Sequence, residues 1–216
     1  MASDDVSLEF SDGRAVPQNL EAVNDELRTI GAGVWPLDLG DRPADIRALL
    51  AKPLLDAAET ERVMAHFLLP RERLLQILAQ AGREPAVAGG GALSTFVTNL
   101  GHGYPQLHQV QEGVDYGRFD RFHVNGGPGG GIDEVFQMLS GAGFVIHQRL
   151  DGGEVLTLRL DCPDERRGWL GTYNGARPHI GSISSATAGS KLLVQAFGTP
   201  EWTLTYTEER ESSSGS

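Results

Sequence analysis

The chain has 216 residues, 40% of them hydrophobic, and a formal charge of −11 from 18 Lys and Arg against 29 Asp and Glu. That balance lacks the clustered cations that nucleic acid or an anionic membrane surface requires, and a single cysteine, Cys162, excludes an internal disulfide framework. No apolar run approaches the roughly 18 residues that span a bilayer, and Met1-Ala2-Ser3-Asp4-Asp5 lacks the regions of a secretory signal, so a soluble cytoplasmic protein is expected.

In chain order, residues 1–15 are polar and expected to be mobile. Residues 16–84 carry helical spacing. Leu20, Val23, Leu27 and Ile30 recur at three- and four-residue intervals. Asp41-Arg42-Pro43 is a helix start ahead of Ile46, Leu49 and Leu50. Asp56 and Glu59 have the spacing of a capping box and open a helix through Phe67. Arg71 to Ala81 carries Leu74, Leu75, Ile77 and Leu78 and stops at Gly82. This helical region is expected to pack as an arm on the C-terminal part of the chain.

Residues 85–207 change character to alternating and β-branched segments. Strands are predicted near 93–98, 106–110, 119–124, 132–139, 143–150, 155–161, 168–172, 181–184, 192–197 and 202–206. Asp151-Gly152-Gly153 is a hairpin turn between two of them. Many short strands with turns between them predict a mainly-β protein, a small closed or double-sheet architecture of jelly-roll type. Gly89–Gly91 and Gly126–Gly131 match no phosphate loop; the second cluster is a candidate lid. Residues 208–216 are expected to be a disordered tail.

The candidate chemistry starts with His123, Glu134 and His179. Two imidazoles and one carboxylate suit a mononuclear metal that keeps coordination positions open. Period-two alternation lets a strand turn Glu134 inward with Phe136 and Met138, although a slip of one residue would substitute Asp133. A carboxylate facing an apolar interior is costly unless it is paired, protonated or bound to a cation. His108 is an alternative ligand or a supporting group. Arg121 shares the face of His123 and offers a planar fork for a substrate carboxylate, the alternative being a solvated, salt-bridged face. Gln137, Tyr173 and Gln195 are candidate polar lining. The bland alternatives are a hydrogen-bonded strand histidine at 123, a turn cap at 179, a loop residue at His102, an ambiguous face for His147 and a packed His66.

The spacing around these residues resembles the first motif of the cupin superfamily, G-(x)5-H-x-H-(x)3,4-E-(x)6-G. Gly117 and His123 match its first half, and Glu134 and Gly141 its second. The stretch Asp133–Phe144 and the segment Lys191–Trp202, with its Gly-x-Pro-x-Trp closure, are similar to acireductone dioxygenases. The chain departs from the pattern where Asn125 stands at the second histidine and eight residues, not three or four, separate it from Glu134. The resemblance covers about residues 105–206. It implies a cupin β-barrel and one divalent metal ion per subunit on His123, Glu134 and His179, with Asn125 or His108 as the open question of a fourth ligand. The metal expected first is Fe2+, then Zn2+, Mn2+ or Ni2+. It further implies a homodimer and a small-molecule substrate, anionic or aromatic. The activity expected first is a non-haem iron dioxygenase; next come a metal-dependent isomerase, mutase or lyase, and then a cupin-fold binding module without catalysis.

Overall fold

The computed structural model describes residues 5–15, 19–93, 103–111, 121–126, 130–183, 188–200 and 202–207. Four α-helices among them are α1 (Leu20–Arg28), α2 (Ala44–Leu50), α3 (Ala57–Phe67) and α4 (Arg71–Gln80). Their starts follow local chemistry. The Asn19 side chain accepts the Ala22 N–H at 2.9 Å and caps α1. Asp56 and Glu59 form the reciprocal capping box that opens α3. Pro43 and Pro70 precede α2 and α4, where a missing N–H costs nothing.

The strands are β1 (Val6–Phe10), β2 (Gly33–Asp38), β3 (Ala92–Leu93), β4 (Gln106–Gln109), β5 (His123–Gly126), β6 (Ile132–Ser140), β7 (Phe144–Arg149), β8 (Val155–Leu160), β9 (Arg167–Tyr173), β10 (His179–Ile183), β11 (Lys191–Gly198) and β12 (Thr203–Tyr206). They form two antiparallel sheets. One has the order β1-β8-β7-β10-β5-β12; the other has β2-β9-β6-β11-β3, with β4 also on β11. Among the described residues no ladder joins the two sheets, so the mainly-β expectation is met by two sheets and not by a closed barrel.

Two strands lie where none is predicted. Val6-Ser7-Leu8-Glu9-Phe10 alternates apolar and polar, and β1 pairs with β8 while burying Leu8 completely. Part of the polar start expected to be mobile is therefore an edge strand. β2 interrupts the helical region; its Pro36 removes an N–H, which an edge position tolerates. The buried Asn24 of α1 meets the same strand, donating to the Val34 carbonyl at 2.7 Å and accepting its N–H at 2.8 Å. The predicted strand at 93–98 lies mostly outside the described residues, as do Gly117, Arg118, the middle of the Gly126–Gly131 cluster and the tail.

The second sheet is buried on both faces, which explains the nearly unbroken apolar run of β11. Phe136, Met138 and Leu192 face the first sheet, in one core with Phe144, Leu160 and Trp169. Leu139 and Leu193 pack under α2 and α3, and Val135, Leu170 and Phe197 under α4. Gln137 donates to the Phe67 carbonyl at 2.8 Å, and Gln195 accepts the Leu69 N–H at 2.8 Å. These two glutamines thus staple the helical layer to the outside of the sheet. The expectation that they line the interior is corrected by their alternation, one step out of phase with Glu134.

Candidate functional site

Register gathers polar residues at one end of the space between the sheets. Paired residues of antiparallel strands share a face. Across the first sheet one such row runs Tyr206, His123, His179, Gln148, Leu156 and Phe10. On the facing sheet the corresponding row is Ala196, Glu134 and Tyr173. The Tyr173 ring reaches across to His179, with centroids 4.7 Å apart. The same row thus turns apolar at Leu156, and the polar end is carried by β12, β5, β10 and β7 of the first sheet and by β6 and β9 of the second.

His123 and His179 are partners on adjacent strands, with ring centroids 4.3 Å apart, and both are almost fully buried. The His179 ring is held by the backbone two residues before it: its Nδ1 lies 2.9 Å from the Arg177 carbonyl. A carbonyl only accepts, so the His179 Nδ1 carries the proton and Nε2 presents a lone pair. That Nε2 is buried with no hydrogen-bond partner among the described residues. Burial, and next the charge of the neighbouring imidazole, pushes His123 down to about 4; burial pushes His179 down to about 4. Both rings are therefore neutral at pH 7, the state in which imidazole binds a metal.

Glu134 faces this pair from β6. Its Oε1 accepts from the Tyr104 hydroxyl at 2.6 Å. Its Oε2 accepts from the Asn125 Nδ2 at 2.7 Å and from the Tyr173 hydroxyl. Burial, then the charge of Glu134, raises Tyr104 and Tyr173 above the usual phenol range, so both stay protonated as donors. Among the described residues Glu134 has no cationic partner. Asp133, one residue earlier, faces the other way and pairs with Arg83. The alternation thus puts Glu134, not Asp133, toward the imidazoles.

Arg121 lies beside this group, its guanidinium 3.8 Å from the Tyr206 ring centroid. His108 does not join it. Register sets His108 against Leu192, which pairs with Met138, four residues along β6 from Glu134. At about 3.4 Å per residue that is roughly 14 Å away along the strand. Tyr104, four residues ahead of His108 and just before β4, takes the place at Glu134. Asn125 enters as a hydrogen-bond donor to Glu134. His147 faces outward onto Thr157 at 2.8 Å, and His66 packs edge-on against Phe67. His102 lies outside the described residues.

The donor set suits a divalent cation at the imidazole pair, where a buried lone pair otherwise has no partner. Glu134 has three donors on about four lone-pair sites, leaving one. As placed, the described residues hold no group of three His, Cys, Asp or Glu side chains close enough together to bind a metal ion.

The fold is similar to that of a solved cupin-fold enzyme. The structure it resembles is acireductone dioxygenase from Bacillus anthracis, solved with a cadmium ion in its active centre. The TM-score is 0.59 at 13% identity, covering 95% of this chain and 100% of that one. That likeness shows the fold. No family model matches the chain, and no curated protein matches it. Among the described residues no helix is long and apolar enough to cross a membrane.

Proposed function

We propose that this chain is a metal-dependent enzyme of the cupin type that acts on a small organic anion, first of all as a non-haem iron dioxygenase. The observation that carries the reading is the buried His123–His179 pair, neutral and with the His179 Nε2 lone pair unmatched, facing a buried carboxylate that lacks a cation among the described residues. His123 and His179 would hold the metal, and Glu134 would join them through its remaining lone-pair site. When bound, a divalent metal supplies Lewis-acid polarisation and, as iron, oxygen chemistry. The same donor set with Zn2+, Mn2+ or Ni2+ supports isomerase, mutase or lyase chemistry.

The chain's own residues have definable tasks. Arg121, stacked on the Tyr206 ring beside the polar end, would bind a substrate carboxylate. Tyr104 and Tyr173 keep their protons and fix both oxygens of Glu134, which holds the carboxylate in one orientation. The apolar end, with Phe136 packed edge-on against Phe144 at 4.9 Å, excludes water behind the site. A homodimer in the cytoplasm remains part of this proposal.

Asn125 supports a second reading. Its bond to Glu134 helps satisfy the carboxylate without metal, which suits a small-ligand binding module of the same fold. Elemental analysis of freshly purified protein beside His179→Ala, followed by oxygen-uptake assays on small aromatic and aliphatic acids, separates the readings. About one equivalent of iron, lost in the variant, with substrate-dependent oxygen uptake supports the dioxygenase. Metal without oxygen uptake moves the reading to isomerase or lyase. No metal, before or after reconstitution, leaves the binding module.

A further inference from the structure

The outer face of the second sheet carries a buried polar chain that ends on the backbone of Glu134. Arg83 follows Gly82 at the end of α4, and its side chain is only 11% exposed. Its guanidinium pairs with Asp133, donates through Nε to the Gly31 carbonyl at 2.9 Å, and donates through Nη2 to the Thr172 Oγ1 at 2.9 Å and the Tyr173 carbonyl at 3.1 Å. The second oxygen of Asp133 accepts the Ala86 N–H at 2.8 Å. The Thr172 hydroxyl passes the chain on, donating to the Glu134 carbonyl at 2.7 Å. Gly31 makes room for it: its φ is +72°, and a Cβ there would meet the Arg83 Cδ at 2.9 Å.

These contacts converge on one register pair. Glu134 and Tyr173 are direct partners across β6 and β9, and the Tyr173 hydroxyl bonds the Glu134 carboxylate on the inner face. Arg83 grips the carbonyl of one and, through Thr172, the carbonyl of the other. Arginine suits this position because its rigid planar fork holds several acceptors in fixed relative directions, whereas a lysine is a point charge on a flexible stem. Displacing a supporting group by about half an ångström is enough to loosen a site held at this precision.

We infer that Arg83 is a positioning residue for the interior site, acting from the opposite face of the sheet through Thr172 and the Tyr173 backbone. The inference deepens the metal-enzyme reading and rests on it for its functional consequence. It also makes the helical layer part of the site, since Arg83 is the first residue after the turn that closes α4.

The test uses Co2+ as the probe on the full chain, with Arg83→Lys and Thr172→Val as conservative variants. Gln195→Leu is the control, because it weakens the same face of the sheet by removing the staple to Leu69, while its side chain makes no hydrogen bond to Arg83, Thr172 or Tyr173 among the described residues. Unfolding is measured on all of them, and affinity is read only at temperatures where each is folded. The expected result is a Co2+ affinity lowered about 10- to 100-fold in Arg83→Lys and Thr172→Val and within about twofold of wild type in Gln195→Leu. Affinities unchanged in the first two, or lowered in all three in step with stability, would overturn the inference. If wild type binds no Co2+, the metal reading fails, and the positioning role is decided by the low-field proton resonance of the Tyr173 hydroxyl, identified by its loss in Tyr173→Phe. Its shift in Arg83→Lys and Thr172→Val upholds the role; its persistence unmoved in both, or its absence from wild type, overturns it.

Discussion

Asp133 and Glu134 are one peptide bond apart on β6, both almost wholly buried, and their surroundings are opposite in kind. Asp133 meets a guanidinium and a backbone N–H on the face that carries the helices. Glu134 meets two phenols and an amide on the face that looks into the interior, where the two neutral imidazoles also lie. A buried carboxylate matched by an arginine is a structural joint. One surrounded by neutral donors, beside a histidine whose lone pair lacks a partner, is the one that would receive a cation in the proposed reading.

The contrast is sharpest when each carboxylate is neutralised. Asp133→Asn leaves Arg83 without its counter-charge, and a guanidinium has no lone pair with which to adapt. Breaking such a buried pair costs about 3–5 kcal/mol, so denaturant unfolding of Asp133→Asn should show a loss of that size. A loss below about 1 kcal/mol would mean that the pair does not hold the sheet to the helical layer.

Acid should expose the interior face next. His123 and His179 each fall from 6.5 to about 4 in the folded chain, because burial disfavours the charged ring. The unfolded chain then binds more protons than the folded one between those values. Stability of the metal-free protein is therefore full above pH 6.5 and falls as the pH drops toward 4, by on the order of 3 kcal/mol per histidine. Replacing both rings with leucine should flatten that slope in urea titrations run across this range; a slope unchanged by the replacement would contradict the assignment.

Glu134→Gln should be milder for the fold. The Tyr104 and Tyr173 hydroxyls can rotate to accept, and the Asn125 amide can flip, so the new amide finds partners at a cost of about 1 kcal/mol. Its consequence should fall on metal affinity instead, lowered by about tenfold or more in a Co2+ titration. A large stability loss with intact affinity would reverse the roles assigned to the two carboxylates. The smallest effect belongs to the helix caps: Asp56→Ala removes the capping box of α3 and should cost about 1 kcal/mol, read as a lowered midpoint in thermal unfolding, with no change in metal affinity.

Much of this layout is legible in the sequence because alternation and caps are local signals. The strands from Gln106 onward follow their predicted order, the Asp151-Gly152-Gly153 turn joins β7 to β8, and Glu134 lies in phase with Phe136 and Met138. β1 and β2 are hard to read because single edge strands among polar or helical neighbours give only five or six residues of pattern. Alternation tells which face a side chain takes but not how far along the strand its neighbours lie. That is why the sequence offers His108 and not Tyr104: only the pairing of β4 with β11 sets the distance to Glu134. Arg83 and Thr172 carry no sequence signature, since their partners are as many as 90 residues away.

Whether the interior takes a metal at the His123, His179 and Glu134 end decides between an enzyme and a binding module. The most direct measurement is a Co2+ titration followed by visible absorption on the wild type and on His179→Ala, both shown to be folded. A metal centre at this end predicts ligand-field bands that saturate at about one equivalent in the wild type and are absent in the variant. No bands in the wild type, or the same titration in both proteins, would contradict it.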